Sequence, residues 1–365
     1  MNTGFGLEKA VREARVKTGV QGVSAGLLRD GETVFAADGV LELGRNEAVQ
    51  PETPFRIASI TKPFTATLVG LDERLPALLS HTAGLRCESA QPLPQEATGL
   101  WSYSNAGYWE AAAACGAPFD RALATHVLEP LGLTSTGFAE PESPARGHVQ
   151  EGESGHRAVS VDSFPAARWP SGGLWSTAGD LLRFAAHHLD GAPPELHEPR
   201  GSALGARYAL GWWVREHADG RTTLDHEGSV AGYQSLLLLV PADGLALAVL
   251  TNSWRGSGLA RRVVESLGLL PHPAGPAIAA RDDIAGTYEL DGAEASVELT
   301  GDGIVVSEAE TDPVTDTRRS TRYLARPIGD DVYAFARGTL MSHRLDFPRP
   351  GLARIGWVVL PRVER

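Results

Sequence analysis

The residues best suited to do chemistry in this sequence are a serine and a lysine three positions apart, Ser59 and Lys62. The apolar pattern around them predicts a helix from about Ala58 to Leu71. Residues three apart lie on one helix face, so the hydroxyl and the amine can come within hydrogen-bonding reach. A lysine amine beside a serine hydroxyl can take its proton and create a nucleophile. The start of a helix also stabilises negative charge that develops nearby.

Lysine is rare in this chain, which makes Lys62 stand out. Of the 33 lysine and arginine residues only Lys9, Lys17 and Lys62 are lysines. Arginine stays protonated in proteins, whereas a lysine can lose its proton when it is buried. The single late lysine therefore favours a functional interpretation of the Ser59 motif over a chance pairing on a solvated helix face.

Two further motifs follow along the chain. Tyr103 and Asn105 flank a serine just before a predicted helix. The second motif runs between two predicted strands and consists of His226, Glu227, Gly228 and Ser229. Each has a structural explanation on its own, with Tyr103 as a buried aromatic, Asn105 as a helix N-cap and His226 as a satisfied strand-end histidine. Their occurrence together and in this order favours a shared functional site.

In this order the three motifs resemble those of the class C β-lactamases, the related penicillin-binding serine hydrolases, the D-aminopeptidases and the β-lactamase-like carboxylesterases. Four further segments resemble the same family, namely LLSHTAGL at 78–85, EPLGLTSTGF at 129–138, PSGGLWSTAGDLLRF at 170–184 and the stretch 226–252. The resemblance covers residues 20–255. It implies an α/β (α+β) fold of the serine β-lactamase and D,D-peptidase type, with an antiparallel sheet flanked by helices.

The resemblance also implies an acyl-enzyme mechanism in which Ser59 attacks a carbonyl carbon. Lys62 and Tyr103 would together take the serine proton and pass one to the leaving group. Asn105 would orient Lys62 and the substrate amide. The expected reaction is hydrolysis of an amide or ester, of the peptidase, D-aminopeptidase or carboxylesterase type, without a metal or other cofactor.

The third motif would complete the site. The backbone N–H groups of Ser59 and Ser229 would form an oxyanion hole, with Gly228 allowing the backbone to approach closely. His226 stands where many relatives carry a lysine, and would polarise Tyr103 or the substrate. A near-neutral pKa would make that role of histidine pH-dependent.

Three alternatives to this function remain open at this point. The same site could hydrolyse β-lactams, it could transfer the acyl group to a peptide amine, or the chain could be an inactive homologue that binds ligands. The presence of Ser59, Lys62 and Tyr103 speaks against the inactive alternative. A small molecule or peptide is therefore the expected partner.

Two departures from the family pattern limit the comparison. Glu227 replaces a hydroxyl residue that holds the substrate carboxylate in penicillin-recognising relatives, and an acidic side chain would repel that group. It would instead suit neutral esters or a substrate with a free amino group, unless it points to solvent. Ser59 and Tyr103 are only 44 positions apart in the chain. This spacing predicts a trimmed helical subdomain, and either an open cleft or a homo-oligomer that covers it.

The remaining pattern predicts the elements that position these residues. A helix at 7–16 precedes a hairpin that turns at Asp30-Gly31, and four strands are expected at 208–214, 222–226, 233–240 and 245–252. Helices are expected after Tyr103, from Thr177 to about Leu189, and at 258–270. The hydrolase domain is assigned to residues 1–270, a Pro-rich linker to 271–281, and a small lipocalin-like β-barrel to 282–365, with the runs GTYEL, ASVEL, GIVVS, VYAFA and IGWVVL as strands.

Composition excludes several classes of protein. The net charge of −12, without a basic run, disfavours binding to nucleic acid or to anionic membranes. No stretch reaches the ~20 apolar residues of a membrane span, and the N-terminus lacks an apolar signal core, so we expect a cytoplasmic protein. Cys87 and Cys115 have no metal-ligand spacing, and both are expected to be buried thiols.

Three other patterns are interpreted as structural. Gly22-x-Ser24-x-Gly26 resembles a nucleophile elbow but lies in a predicted strand before a hairpin, where small residues favour close packing. His187-His188 lacks the further ligands of a metal site and is expected on a polar helix edge. Trp212 and Trp213 are expected to pack in the core.

Overall fold

The computed structural model describes residues 3–151, 155–159, 164–217, 219–269, 282–301, 303–311, 318–329, 332–335, 344–355 and 357–363. Within them the α-helices are α1 (Thr3–Thr18), α2 (Thr61–Val69), α3 (Pro76–Leu79), α4 (Asn105–Ala113), α5 (Phe119–Leu123), α6 (Trp169–Gly172), α7 (Ala178–Asp190) and α8 (Gly256–Ser266). The strands that precede the barrel are β1 (Gly22–Arg29), β2 (Glu32–Gly39), β3 (Phe55–Arg56), β4 (Gly147–Glu151), β5 (Gly155–Val159), β6 (Trp175–Ser176), β7 (Gly201–Ala203), β8 (Ala206–Tyr208), β9 (Trp213–Glu216), β10 (Thr222–Val230), β11 (Tyr233–Val240) and β12 (Leu245–Thr251).

The central sheet is antiparallel, as the sequence predicts. In the described part of the chain its strand order is β2-β1-β12-β11-β10-β9-β8-β7, so the N-terminal hairpin closes onto the last strand of the domain. The hairpin turns at Asp30 and Gly31, whose φ angles of 52° and 79° are those of the turn that an Asp-Gly pair favours. The Gly22-x-Ser24-x-Gly26 motif lies within β1 and has no strand-to-helix elbow, which confirms its interpretation as a strand.

Helices cover both faces of this sheet. On one face α1 packs against β1 and β2, and α8 packs against β11 and β12, through side chains such as Leu7, Val263 and Leu247. On the other face α2 and α7 pack together, with the rings of Phe64 and Phe184 stacked 3.8 Å apart. Each buried side chain of this kind contributes about 1.5–3 kcal/mol. The core on this second face holds α2, and with it Lys62 and the turn of Ser59, at a fixed height above the sheet.

The predicted helices are largely confirmed. Thr177 caps α7 by accepting a hydrogen bond from the N–H of Asp180 at 3.2 Å, as the capping pattern predicts. Between α2 and α4 the described residues contain one α-helix, the four-residue α3. The helical subdomain on this side of the cleft is therefore small.

The prediction of one continuous strand at 208–214 is wrong. The chain forms β8 and β9 with a break between them, where Gly211 has a φ of 82°. A Cβ atom at Gly211 would lie 3.0 Å from the backbone of Lys62 and Pro63. The chain at the break therefore packs directly against the first turn of α2. Trp212 and Trp213 follow Gly211 and are both fully buried, which confirms their predicted core packing.

The C-terminal segment forms a closed barrel, as predicted. Its strands are β13 (Gly286–Leu290), β14 (Ala293–Thr300), β15 (Gly303–Thr311), β16 (Arg318–Gly329), β17 (Val332–Phe335), β18 (Arg344–Arg349), β19 (Leu352–Ile355) and β20 (Val358–Val363). The single strand predicted for IGWVVL is wrong, because β19 ends and β20 begins within it. The predicted linker at 271–281 lies outside the described residues. Among the described helices, none has the length and apolar character needed to cross a membrane.

The polar helix edge predicted at His187-His188 is wrong for His188, which is buried between α7 and α2. Its Nδ1 lies 2.8 Å from Nε2 of His197, and its Nε2 lies 3.0 Å from the hydroxyl of Thr67 on α2. The two rings and the hydroxyl satisfy one another where water is excluded. This network ties the helix of Ser59 to the chain that follows α7.

We expect this histidine pair to make the protein less stable in acid. Burial, with a contribution from neighbouring histidines, lowers the pKa of His188 well below 6.5 and that of His197 to about 4. The unfolded chain binds these protons first, so the free energy of unfolding should fall as the pH drops from about 6.5 towards 4, by the order of 2 kcal/mol. Urea titrations near pH 7.5 and pH 5 would measure it. A double variant, His188→Gln with His197→Gln, should lose less stability between these pH values than the wild type, and an equal loss would contradict the assignment.

Candidate active site

The segment that carries Ser59 is strained at its entry. Strand β3 leads into Ala58, whose φ of 46° is unusual for a residue other than glycine. A 3₁₀ turn, Ala58–Ile60, follows and runs directly into α2. Ser59 is partly exposed on this turn, whereas Lys62 is completely buried one turn later. The serine hydroxyl is thus open to the cleft while the amine behind it is shielded from water.

The amine of Lys62 has three oxygen neighbours. Its Nζ lies 2.7 Å from Oδ1 of Asn105, 2.8 Å from the carbonyl oxygen of Ser171 and 3.1 Å from Oγ of Ser59. Burial lowers the pKa of Lys62 to about 7, against an opposing effect of Cys87 and Glu88. A neutral amine has two hydrogens and one lone pair. The amide and carbonyl oxygens can only accept, so they take the two hydrogens and leave the lone pair facing Ser59.

The turn before α4 presents Tyr103 and Asn105. Ser104 is the N-cap of α4, and its hydroxyl accepts a hydrogen bond from the N–H of Gly107 at 3.1 Å. Asn105 is therefore the first residue of the helix, and the alternative that it serves as the N-cap is wrong. With the cap supplied by its neighbour, the amide of Asn105 is free to contact Lys62.

The hydroxyl of Tyr103 is buried in the site. Burial raises its pKa well above 10, while the nearby Ser59 hydroxyl acts in the opposite direction. This hydroxyl has no hydrogen-bond partner among the described residues. Nζ of Lys62 lies 4.7 Å from the centre of its ring. Tyr103 is therefore a protonated phenol beside the serine, with its O–H available to a ligand.

His226 is buried and uncharged. Its Nδ1 donates to the carbonyl oxygen of Glu227 at 2.6 Å, so Nε2 accepts from the hydroxyl of Tyr208 at 3.1 Å. Burial and the nearby Lys62 lower its pKa to about 3. The near-neutral titration expected for His226 is therefore wrong. Its ring centre lies 6.5 Å from that of Tyr103, and no hydrogen bond joins the two side chains.

Gly228 lies where β10 contacts the segment before Ser59. The 3₁₀ turn Ala58–Ile60 that carries Ser59 is called the nucleophile turn below. A Cβ atom there would come within 2.1 Å of the carbonyl oxygen of Ile57 and 2.3 Å of Oγ of Ser235. The pairing of β9 with β10 ends at Asp225, so the outer edge of β10 beyond it has no strand partner in the described part of the sheet. Ser229 follows on this edge and is exposed. The outer edge of β10 therefore runs beside the turn that carries Ser59.

Glu227 is buried, with 6% of its surface exposed. In the ladder between β10 and β11, Glu227 pairs with Leu236, whereas the preceding residue His226 pairs with Leu237. Successive strand residues face opposite sides of a sheet. The alternative that Glu227 points to solvent is thus wrong, and its carboxylate does not share the face of His226.

The site contains residues that sequence reasoning did not single out. Ser171 supplies an acceptor to Lys62, and Glu88 accepts a hydrogen bond from Nδ2 of Asn105. His81 accepts from the N–H of Ser104 at 3.0 Å and places its ring 4.3 Å from that of Tyr103. Ser171 and His81 lie in segments that carry the family resemblance, which was their available signal. Glu88 lies outside those segments.

The barrel holds the segment just before α4 at three successive residues. Arg354 donates to the carbonyl oxygen of Trp101 at 3.0 Å, and the N–H of Val359 donates to the hydroxyl of Ser102 at 3.1 Å. The N–H of Tyr103 donates to the carbonyl oxygen of Trp357 at 3.0 Å. Trp357 lies between β19 and β20 with a φ of 75°, and its ring is 5.3 Å from that of Tyr103. The barrel therefore forms one wall of the site.

A cavity of about 310 Å³ lies between this wall and the loop that carries Glu88. Apolar barrel residues such as Leu290 and Ile355 line its floor, and Cys87 and Glu88 lie at its border. Cys87 and Cys115 are both only partly buried, which corrects the expectation of buried thiols. Cys87 faces the cavity, and Cys115 follows the end of α4. The described residues contain no cluster of three or more His, Cys, Asp or Glu side chains that could hold a metal ion.

Comparison with known proteins identifies the family. The Beta-lactamase family model matches residues 7–74 and 72–266. Penicillin-binding protein 4 of Amycolatopsis lactamdurans is 27% identical over 76% of this chain and 95% of its own. The crystal structure of SurE superimposes with a TM-score of 0.70 at 25% identity over 98% of both chains. D-amino acid amidase from Ochrobactrum anthropi has the same fold, with a TM-score of 0.62 at 21% identity over 74% of this chain and 99% of its own. The chain belongs to the Beta-lactamase family, a family of serine hydrolases.

We expect Gly228→Ala to disrupt the contact between β10 and the nucleophile turn. The added Cβ cannot coexist with the Ile57 carbonyl at 2.1 Å, so the strand or the turn must shift. A displacement of this size should lower kcat/KM for a p-nitrophenyl ester about 100-fold or more. Gly137→Ala is the matched control, because a Cβ atom there meets nothing within 4 Å. Near-wild-type activity of Gly228→Ala would contradict this geometry.

Proposed function

We propose that this protein hydrolyses an amide or ester through an acyl-enzyme on Ser59. The observation that carries the proposal is the buried Lys62 amine, whose two acceptors Asn105 and Ser171 leave its lone pair for the serine hydroxyl. Ser59 itself is partly exposed to the cleft. The nucleophile is thus accessible while its base is held in one orientation.

The protonation states of Lys62 and Tyr103 suggest which of them acts as the base and which as the acid. Lys62, with a pKa of about 7, is uncharged in a substantial fraction of molecules at neutral pH and takes the proton of Ser59. Tyr103 keeps its proton, because burial raises its pKa well above 10, and it donates to the leaving group. The oxyanion that forms is stabilised by the N–H groups of Ser59 and Ser229. Lys62 then passes its extra proton to Tyr103. Water gives a proton to Lys62 as its oxygen attacks the acyl carbonyl, and that proton goes to Oγ of Ser59 when the acid product leaves.

His226 takes a structural part in this scheme. Both of its ring nitrogens are occupied, by Glu227 and by Tyr208, and it stays neutral at neutral pH. The fall in activity with acid is therefore expected from Lys62, since protonation removes the lone pair that faces Ser59. Activity should be lost as the pH falls through about 7.

The substrate is proposed by class. D-amino acid amidase carries its substrate class in its name, and SurE has also been solved with D-Leu. These neighbours support D-amino acid amides and esters as the first compounds to screen, with β-lactams and amine acceptors as the alternatives. The burial of Glu227 gives a substrate amine no open carboxylate on the His226 face.

Intact-mass analysis after rapid quenching tests the proposed nucleophile. The wild type, mixed with a short-chain p-nitrophenyl ester for seconds, should release a burst of nitrophenol and gain one acyl mass. Ser59→Ala should show neither, because it lacks the attacking oxygen. Ser266→Ala, which removes an exposed hydroxyl from the end of α8, is the control and should behave as the wild type.

The outcomes separate the competing functions. Turnover that depends on Ser59 without an adduct would indicate fast deacylation and keep the proposal. An acyl-enzyme that forms but releases faster when a peptide amine is added would favour acyl transfer over hydrolysis. Equal ester turnover in Ser59→Ala and the wild type would overturn the assignment of Ser59.

A further inference from the structure

The amide of Asn105 is held between Lys62 and a carboxylate. Its Oδ1 accepts from Lys62 at 2.7 Å, and its Nδ2 donates to Oε1 of Glu88. The other carboxylate oxygen of Glu88 accepts from Arg168 at 2.6 Å. Arg168 lies in turn over the ring of Trp109, 5.2 Å from its centre. A continuous chain of polar contacts therefore runs from Arg168 to Ser59.

The carboxylate decides which way the amide points. An ionised carboxylate only accepts hydrogen bonds, so the NH₂ end of Asn105 must face Glu88 and the oxygen must face Lys62. With the amide reversed, Nδ2 would donate to the lone pair of a neutral Lys62. That lone pair would then no longer be available to the hydroxyl of Ser59.

Glu88 also differs in charge from the other groups around Lys62. Burial raises the pKa of Tyr103 and Tyr108 on the α4 side, and desolvation raises that of the Cys87 thiol, so these three are neutral. Burial likewise lowers the pKa of His81 and His226, which are neutral too. Among these neighbours the negative charge is that of Glu88, and it favours the ammonium form of Lys62.

We propose that Glu88 is a positioning residue, which fixes the Asn105 amide so that the Lys62 amine faces Ser59 and acts on that amine by its charge. The inference deepens the proposed function and rests on it. Glu88 contacts neither Ser59 nor Lys62 in the hydrogen-bond network, so its orienting effect passes through Asn105, while its charge acts on the amine through space. Arg168 opposes the charge effect by pairing with the same carboxylate.

A purely structural role would be to tie the loop of Glu88 to Arg168. Two variants that should shift the pH midpoint of activity in opposite directions distinguish this role from the proposal. Glu88→Gln keeps an oxygen that can accept from Asn105 but removes the charge. Arg168→Gln keeps Glu88 and removes the positive charge beside it. Loss of a structural tie would lower activity at all pH values in both variants without moving the pH midpoint.

The experiment measures kcat/KM for a p-nitrophenyl ester against pH, at an isosbestic wavelength of nitrophenol. We expect the midpoint to move down by about one unit in Glu88→Gln and up in Arg168→Gln. Glu110→Gln is the control, because it removes an exposed carboxylate from α4, and its midpoint should stay at the wild-type value. Glu88→Ala should in addition lose about tenfold or more of the plateau value, since nothing then orients the amide.

Coincident pH profiles for the wild type, Glu88→Gln and Arg168→Gln would overturn the role of Glu88. Shifts of the same sign in both variants, or an equal shift in Glu110→Gln, would also overturn it. The acyl adduct on Ser59 is measured on the same samples by intact mass. If the wild type forms the adduct and the profiles coincide, only the inference on Glu88 fails. If ester turnover proves independent of Ser59, the proposed function itself fails.

Discussion

The burial of one lysine amine is the constraint on which the site depends. Lys62 lies at the end of the 3₁₀ turn of Ser59, out of contact with water, and its nitrogen must satisfy its hydrogens inside the protein. Asn105 and Ser171 supply two acceptors from separate parts of the chain. The break at Gly211 lets a further segment pack against the first turn of α2, which carries the lysine. The fold around the site is thus organised by what an uncharged, oriented amine requires.

The barrel takes part in this arrangement and is more than an appendage. Three successive residues, 101–103, bond to barrel groups, and the last of them is Tyr103. The barrel residue Trp357 adopts a left-handed backbone conformation that costs energy for a side chain of its size. Strain of this kind is kept where the surrounding contacts impose it. In this protein those contacts fix the depth at which the phenol of Tyr103 lies beside Ser59.

The elements that the sequence predicts well are those with strong local signals. The Asp30-Gly31 turn, the Thr177 cap and the strands at 222–226, 233–240 and 245–252 follow from local backbone and burial preferences, and all are present. Order along the chain was enough to propose Ser59, Lys62, Tyr103 and Asn105 as one site. What could not be predicted depends on contacts between distant segments, such as the approach of Gly228 to Ile57.

Charge states were the least accessible from sequence. His226 has a near-neutral pKa only when it is solvated, and its complete burial against Tyr208 is a property of the folded chain. His188 is expected at a polar edge because the His187-His188 pair lacks the further ligands of a metal site, yet α2 covers it. Glu88 has no motif around it, and only its contact with Asn105 reveals a role. The break between β8 and β9 likewise follows from the position of α2 and not from the strand pattern.

The titration of Lys62 itself tests the central claim most directly. The chain contains only three lysines, so protein labelled with ¹³C at lysine Cε should give three resolvable signals. Lys9 and Lys17 are exposed on α1 and provide two reference signals from solvated amines. The third signal should titrate at about 7 and be absent from Lys62→Met. Titration of all three signals above about 10 would contradict the account, because an amine that stays charged at neutral pH has no lone pair to offer Ser59.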